Sequence, residues 1–131
     1  MTNTVWGSQD TPWIDVRIKE EIMNYLWDII NNSPKRNAKG TLAGNISKSE
    51  YIQDKDNWFY EYILKGAAEY MYMKKWDNYY ECVITKNKTF PEFYLKNLWV
   101  NYQKQNEFNP LHCHIGLYSF VIFMKIPTHW K

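Results

Sequence analysis

The 131-residue sequence predicts an α+β fold. Three observations carry that expectation. Apolar residues recur at helical spacing through the first half, they alternate at strand spacing in the last third, and the two patterns are segregated along the chain. Interleaved patterns would instead have pointed to a parallel sheet with crossover helices. The length fits one domain, 1–131, with a helical part over about 14–75 and a β core over about 90–131.

Residues 1–13 read as an irregular lead, with Trp6 and Trp13 as packing anchors and Thr11-Pro12 as a helix-start signal. Ile14, Ile18, Ile22, Leu26, Ile29 and Ile30 then form an apolar stripe, with Lys19, Glu20, Glu21, Asn24 and Asp28 on the other side. The spacing predicts an amphipathic helix over 14–30, ended by Asn31-Asn32-Ser33-Pro34. Residues 33–50, with Pro34, Gly40 and Gly44, read as a loop holding a short strand near 42–46. A second helix is expected from near Asp54. Its stripe is Trp58, Phe59, Tyr62, Ile63, Gly66, Ala67, Tyr70 and Met71, with Gly66-Ala67-Ala68 small enough for another element to approach.

Residues 79–85 fit either a short strand or the end of the helical region, and 86–88 a polar turn. From 93 to 102 the pattern has period two: Phe93, Leu95, Asn97, Trp99 and Asn101 on one face, Tyr94, Lys96, Leu98, Val100 and Tyr102 on the other. Residues 104–110 form a polar loop, and 117–126 a second strand closed by Pro127.

Charge is nearly balanced, 16 Lys+Arg against 14 Asp+Glu, which argues against nucleic acid as a partner. The longest apolar run, 117–124, is far shorter than the ~20 residues of a membrane helix. Residues 1–10 lack the apolar core of a signal peptide. Two cysteines, Cys82 and Cys113, are too few for a disulfide scaffold and read as reduced thiols, so a cytoplasmic location is expected.

Chemistry concentrates in His112-Cys113-His114. On an extended backbone, side chains at i and i+2 point the same way, so both imidazoles can face one metal ion while Cys113 points away. Imidazole suits iron, zinc, copper and nickel alike. Phe108 and Pro110 help to fix the backbone there. Two histidines need a further ligand; Glu107 lies across a turn, and His129 is the one other histidine.

The stretch from Leu98 to Pro127 resembles the 2-oxoglutarate/Fe(II)-dependent oxygenases of marine bacteriophages and related metagenomic sequences. The shared pattern is a Trp-x-Asn strand (Trp99, Asn101), Asn109-Pro-x-His-x-His114, Gly116, and an apolar strand ending in Pro. Leu42-Ala-Gly-Asn-Ile46 looks like the same group. The resemblance implies helices packed on part of a double-stranded β-helix, or jelly roll. It implies Fe(II) as metal and 2-oxoglutarate as cosubstrate, with His112 the first ligand and His114 in the slot where most relatives carry an acid. In a shifted register His114 is first and Gly116 stands at an empty acid slot.

Lys125, sharing a strand face with Ser119, Val121 and Phe123, is a candidate partner for the far carboxylate of 2-oxoglutarate, and Asn101 or Tyr102 a hydrogen-bond donor. The residues after 90 have room for about two or three strands, against the eight of a jelly roll. A C-terminally truncated frame is therefore expected, without the distal ligand and cosubstrate-binding strands. If phage-encoded, the chain would act in a bacterial host cell. Two other classes stand beside the oxygenase: a non-enzymatic interaction protein, and a small cupin-like metal binder. Exposed strand edges also favour homo-oligomer formation.

Overall fold

A computed structural model describes residues 4–6, 13–79 and 91–126. The fold is α+β, with two helices and a small antiparallel sheet. β1 (Thr4–Trp6) pairs with β2 (Trp13–Asp15) in a two-stranded ribbon. α1 spans Glu20–Asn32. β3 (Arg36–Asn37), β4 (Ser49–Tyr51) and β5 (Trp99–Asn101) form a three-stranded sheet in that order. Between β4 and β5 lies a second helical run: a 3-10 turn at Lys55–Asn57, a π turn at Tyr60–Leu64, and α2 at Lys65–Tyr79.

The first helix starts later than its apolar stripe predicts. Trp13–Asp15 is strand, and burial alternates from 13 to 18, with Ile14, Val16 and Ile18 half-buried between exposed neighbours. A spacing of four satisfies both the helical and the strand period, so Ile14 and Ile18 fit either; Val16 belongs only to the strand pattern. From Glu20 onward the stripe holds. Ile22, Leu26, Ile29 and Ile30 are buried, and Glu20 and Glu21 favour the positive N-terminal end. Full burial of each aliphatic side chain contributes about 1.5–3 kcal/mol. The Ser33 N–H donates to the Ile29 carbonyl at 3.0 Å, and its hydroxyl donates to Gln53 O at 3.4 Å.

Asp54 starts the second helical run, as the sequence predicts. One carboxylate oxygen accepts from Phe59 N at 2.9 Å and from the Tyr25 hydroxyl; the other accepts from Tyr60 N at 2.9 Å. The Tyr25 oxygen in turn accepts from Lys55 N at 2.8 Å. Burial and the adjacent Asp54 carboxylate push the Tyr25 hydroxyl well above its ordinary pKa, so it stays a donor. Phe59 and Ile29 are fully buried and form the core with Ile22, Leu26 and Ile63.

The π turn inserts a residue and rotates the stripe. Ile63 and Met71 stay inside, Tyr62 is 64% exposed, and Gly66 is exposed with nothing close to it. The expected close approach at Gly66 does not occur.

Three strand expectations are also corrected. Of 93–102, only Trp99–Asn101 enters the sheet, extended by a bond from Ile52 N to Leu98 O at 3.0 Å. The strand expected near 42–46 reduces to one isolated bridge, Asn45 with Phe108. Residues 117–126 form no ladder among the described residues. They keep strand alternation in burial alone: Tyr118, Ile122 and Met124 are half-buried, whereas Val121 and Phe123 are 77% and 74% exposed. Ile122 and Met124 pack this segment against the helical core, and among the described residues no neighbouring strand offers it backbone partners. The expectations for 80–90 and 127–131, with Cys82, Pro127 and His129, lie outside the described residues.

Asp54→Ala removes a helix cap and the Tyr25 acceptor together. A loss of about 2 kcal/mol or more in chemical denaturation is expected, whereas Lys96→Ala, at an exposed position, should change stability by under ~0.5 kcal/mol.

Candidate metal centre

The sheet register sorts side chains onto two faces. Directly paired residues share a face, and neighbours along a strand alternate. Glu50 pairs with Val100, and this parity continues to Ile52 and Leu98, which pack against the helical core. Lys48 belongs to the same side, with its ammonium 4.4 Å from the centre of the Tyr102 ring. The other face carries Arg36, Tyr51 and Trp99 in one transverse row, with Ser49 and Asn101 in the next. His114 lies on this second face, its ring 6.4 Å from the Trp99 ring and 23° from parallel.

A network of backbone ties brings the histidine loop to this position. Asn45 N donates to Phe108 O at 2.8 Å. Gly44 sits so close to Asn109 that a Cβ there would collide with the Asn109 side-chain oxygen. Glu107 accepts from Ser47 N at 3.0 Å and, through its other oxygen, from Lys104 N at 2.9 Å. Gln103 Nε2 donates to the Glu107 carbonyl at 2.6 Å, and Asn106 adopts a positive φ of 66° to close the turn. The Glu107 carboxylate is thus consumed in folding the loop, not aimed at the imidazoles. Its bonds to Lys104 and Ser47 hold its pKa below the usual carboxylate range.

Within the motif, the two imidazoles converge. The His112 Nδ1–H donates to the Pro110 carbonyl at 2.6 Å, which leaves Nε2 as the ring's lone-pair nitrogen. That Nε2 lies 3.0 Å from His114 Nε2. The rings are 4.6 Å apart at 68°. Two nitrogens bound cis to an octahedral ion at about 2.1 Å would stand about 3.0 Å apart, and a tetrahedral ion would need about 3.4 Å. The pair therefore matches a bidentate chelate with little movement. Cys113 is a free, exposed thiol. Among the described residues, no third His, Cys, Asp or Glu joins the pair.

The remaining candidates separate. Asn101 shares the Trp99 face, and its side-chain oxygen accepts from the Ser49 hydroxyl at 2.7 Å. Tyr102 faces the opposite side, where burial and the Glu50 charge raise its hydroxyl pKa. Lys125 lies in the exposed set of the 117–126 segment, and no hydrogen bond or ion pair among the described residues ties it to the histidines. A cavity of about 210 Å³ lies elsewhere, between residues 52–54 and 95–98, and holds no histidine. Trp99, the Pro110 carbonyl and the row Arg36–Tyr51 join the site without having been singled out by spacing. Their placement depends on strand register, which a single sequence with strands of two or three residues does not display. Compared with family models, curated proteins and solved structures, the chain matches none. No described helix is long and apolar enough to cross a membrane.

Glu107 generates a pH prediction. Its folded pKa is depressed, so its contribution is complete above the unfolded carboxylate value and is lost as pH falls through the folded one. The protection of the Ser47 and Lys104 amides, taken relative to their intrinsic exchange rates, should fall on acidification into that range, and Glu107→Gln should show the reduced protection already at neutral pH.

Proposed function

We propose that His112 and His114 hold a first-row divalent metal ion, and that the chain is the metal-binding part of an Fe(II)/2-oxoglutarate-dependent oxygenase. One observation carries the reading: two imidazole nitrogens 3.0 Å apart, one ring oriented by a backbone carbonyl and the other lying over an indole. A carbonyl holding the second ring nitrogen is the usual outer support of a metal-bound histidine, because it fixes tautomer and direction. The 2-oxoglutarate oxygenase reading comes from the resemblance of the Leu98-to-Pro127 stretch.

Within that reading the chain's own groups have separable tasks. The Pro110 carbonyl presents the His112 lone pair. The Trp99 indole limits rotation of His114 and shields one side of it from water. Asn101, on the same face, has an amide nitrogen free to orient a ligand. When bound, iron with 2-oxoglutarate and dioxygen supplies the oxidising chemistry: one oxygen atom enters succinate with loss of CO₂, and the other enters a substrate C–H bond. A sheet with one face on helices and the other toward the histidine pair is compatible with part of a double-stranded β-helix.

Cobalt(II) titration of the native chain should give d–d absorption that His112→Ala and His114→Ala each abolish. Thermal unfolding of those variants should barely change, since both rings are exposed. Anaerobic Fe(II) with 2-oxoglutarate should add a visible charge-transfer band. A native chain that takes up neither ion ends the metal reading; uptake without the band, and without succinate production, leaves the cupin-like metal binder. The exposed side chains of Leu111, Ile115, Val121 and Phe123 support the interaction-protein reading, which predicts a concentration-dependent dimer in the absence of metal.

A further inference from the structure

We infer that the sheet face beside the histidines is a binding platform for a small anionic molecule with a flat or apolar body. Arg36 takes its carboxylate or phosphate head, and Tyr51 and Trp99 carry the body toward the imidazole pair. This deepens the proposed function and rests on it for the identity of the reacting centre.

Register places the three residues in one line across the sheet, Arg36 opposite Tyr51 and Tyr51 opposite Trp99. At the strand spacing of about 4.8 Å, the outer two backbones are roughly 10 Å apart. The Arg36 guanidinium turns inward over the Tyr51 ring, 5.0 Å from its centre, so the row is shorter at the side-chain level. The His114 ring stacks near Trp99, 6.4 Å between ring centres.

Charge distinguishes this face from its reverse. On the helix side, the Glu50 carboxylate lies 3.9 Å from Lys35 and 3.7 Å from Lys48, so each of those cations has an anionic partner. Arg36 has no carboxylate partner among the described residues. A guanidinium lying on an aromatic ring keeps its in-plane N–H donors available, and their fork matches carboxylate and phosphate oxygens. Tyr51 is itself fixed, its hydroxyl 2.7 Å from Thr41 Oγ1. The surface therefore offers two half-buried rings, one beneath an unneutralised guanidinium and the other beside the candidate metal-binding imidazoles. A neutral apolar ligand would leave Arg36 unused, and an inorganic anion would leave the rings unused.

The test uses the full chain and three probes: phenyl phosphate, phenylacetate, and 2-phenylethanol as the neutral control. Binding is read from the Arg36 Nε–H and Trp99 indole N–H signals. At least one anionic probe should bind roughly tenfold or more tightly than the alcohol, and the tighter of the two identifies the head group. Arg36→Gln should erase that preference without changing cobalt uptake, Arg36→Lys should retain part of it, and Trp99→Ala should weaken all three probes. With Mn(II) at the histidines, probe protons should show enhanced relaxation. Equal binding of neutral and anionic probes, or an unaltered preference in Arg36→Gln, overturns the platform. Failure of metal uptake with the Arg36-dependent preference intact overturns the metal reading instead and leaves the platform standing.

Discussion

One carboxylate holds the architecture in place. Asp54 accepts from two backbone N–H groups at the start of the second helical run and from a hydroxyl on α1. Its partners are otherwise expensive to leave unpaired near a core. Fixing residues 59 and 60 sends the Phe59 side chain into the space beside Ile29, where both are fully buried. Phe59 then meets the Phe120 ring edge-on, 6.1 Å between centres. Residues 118–124 have no backbone ladder among the described residues, so this ring contact, with Ile122 and Met124, is what docks them. The histidine loop is thereby tied on one side by the core and on the other by the bridge at Asn45.

The sheet divides labour between its faces by the alternation of an extended chain. One parity supplies core contacts through Ile52 and Leu98, and the other supplies Arg36, Tyr51, Trp99 and Asn101 beside His114. A shift of one residue in the β4–β5 pairing would exchange these sets, burying Trp99 against the helices and carrying Val100 to the histidines. The Ser49–Asn101 hydrogen bond and the main-chain bond from Tyr102 N to Lys48 O lock that register. The position of the histidine loop thus depends on a ladder between strands only three residues long.

How much of this was legible in the sequence follows from which interactions are local. The stripe over Ile22, Leu26, Ile29 and Ile30 is a local signal of period 3.6, and it folds as such. Asp54 is legible as a helix start for the same reason. Ile14 and Ile18 mislead because four residues is both one helical turn and two strand steps. Tyr62 misleads because a π turn breaks the period that would have buried it. The His-x-His pair is visible by inspection, and the convergence of its rings follows from i, i+2 geometry. Trp99 behind His114, Arg36 over Tyr51 and the capture of Glu107 by Lys104 and Ser47 are non-local or turn-specific, and one sequence contains no register from which to read them.

The exposed setting of the imidazoles has a further physical consequence. The two Nε2 atoms share a hydrogen bond in which the His114 Nε2–H donates to the His112 lone pair. A hydrogen bond of this kind in contact with water is net worth only about 0.5–1.5 kcal/mol. It is weak enough to be exchanged for two metal–nitrogen bonds, yet it already holds the donors at chelate spacing. Preorganisation of this kind lowers the ordering cost of binding without demanding a buried cavity. The affinity of a two-histidine site then rests on the groups that restrain the rings, the Pro110 carbonyl and the Trp99 indole. A third donor, from a ligand or from another protein segment, would set which metal is retained.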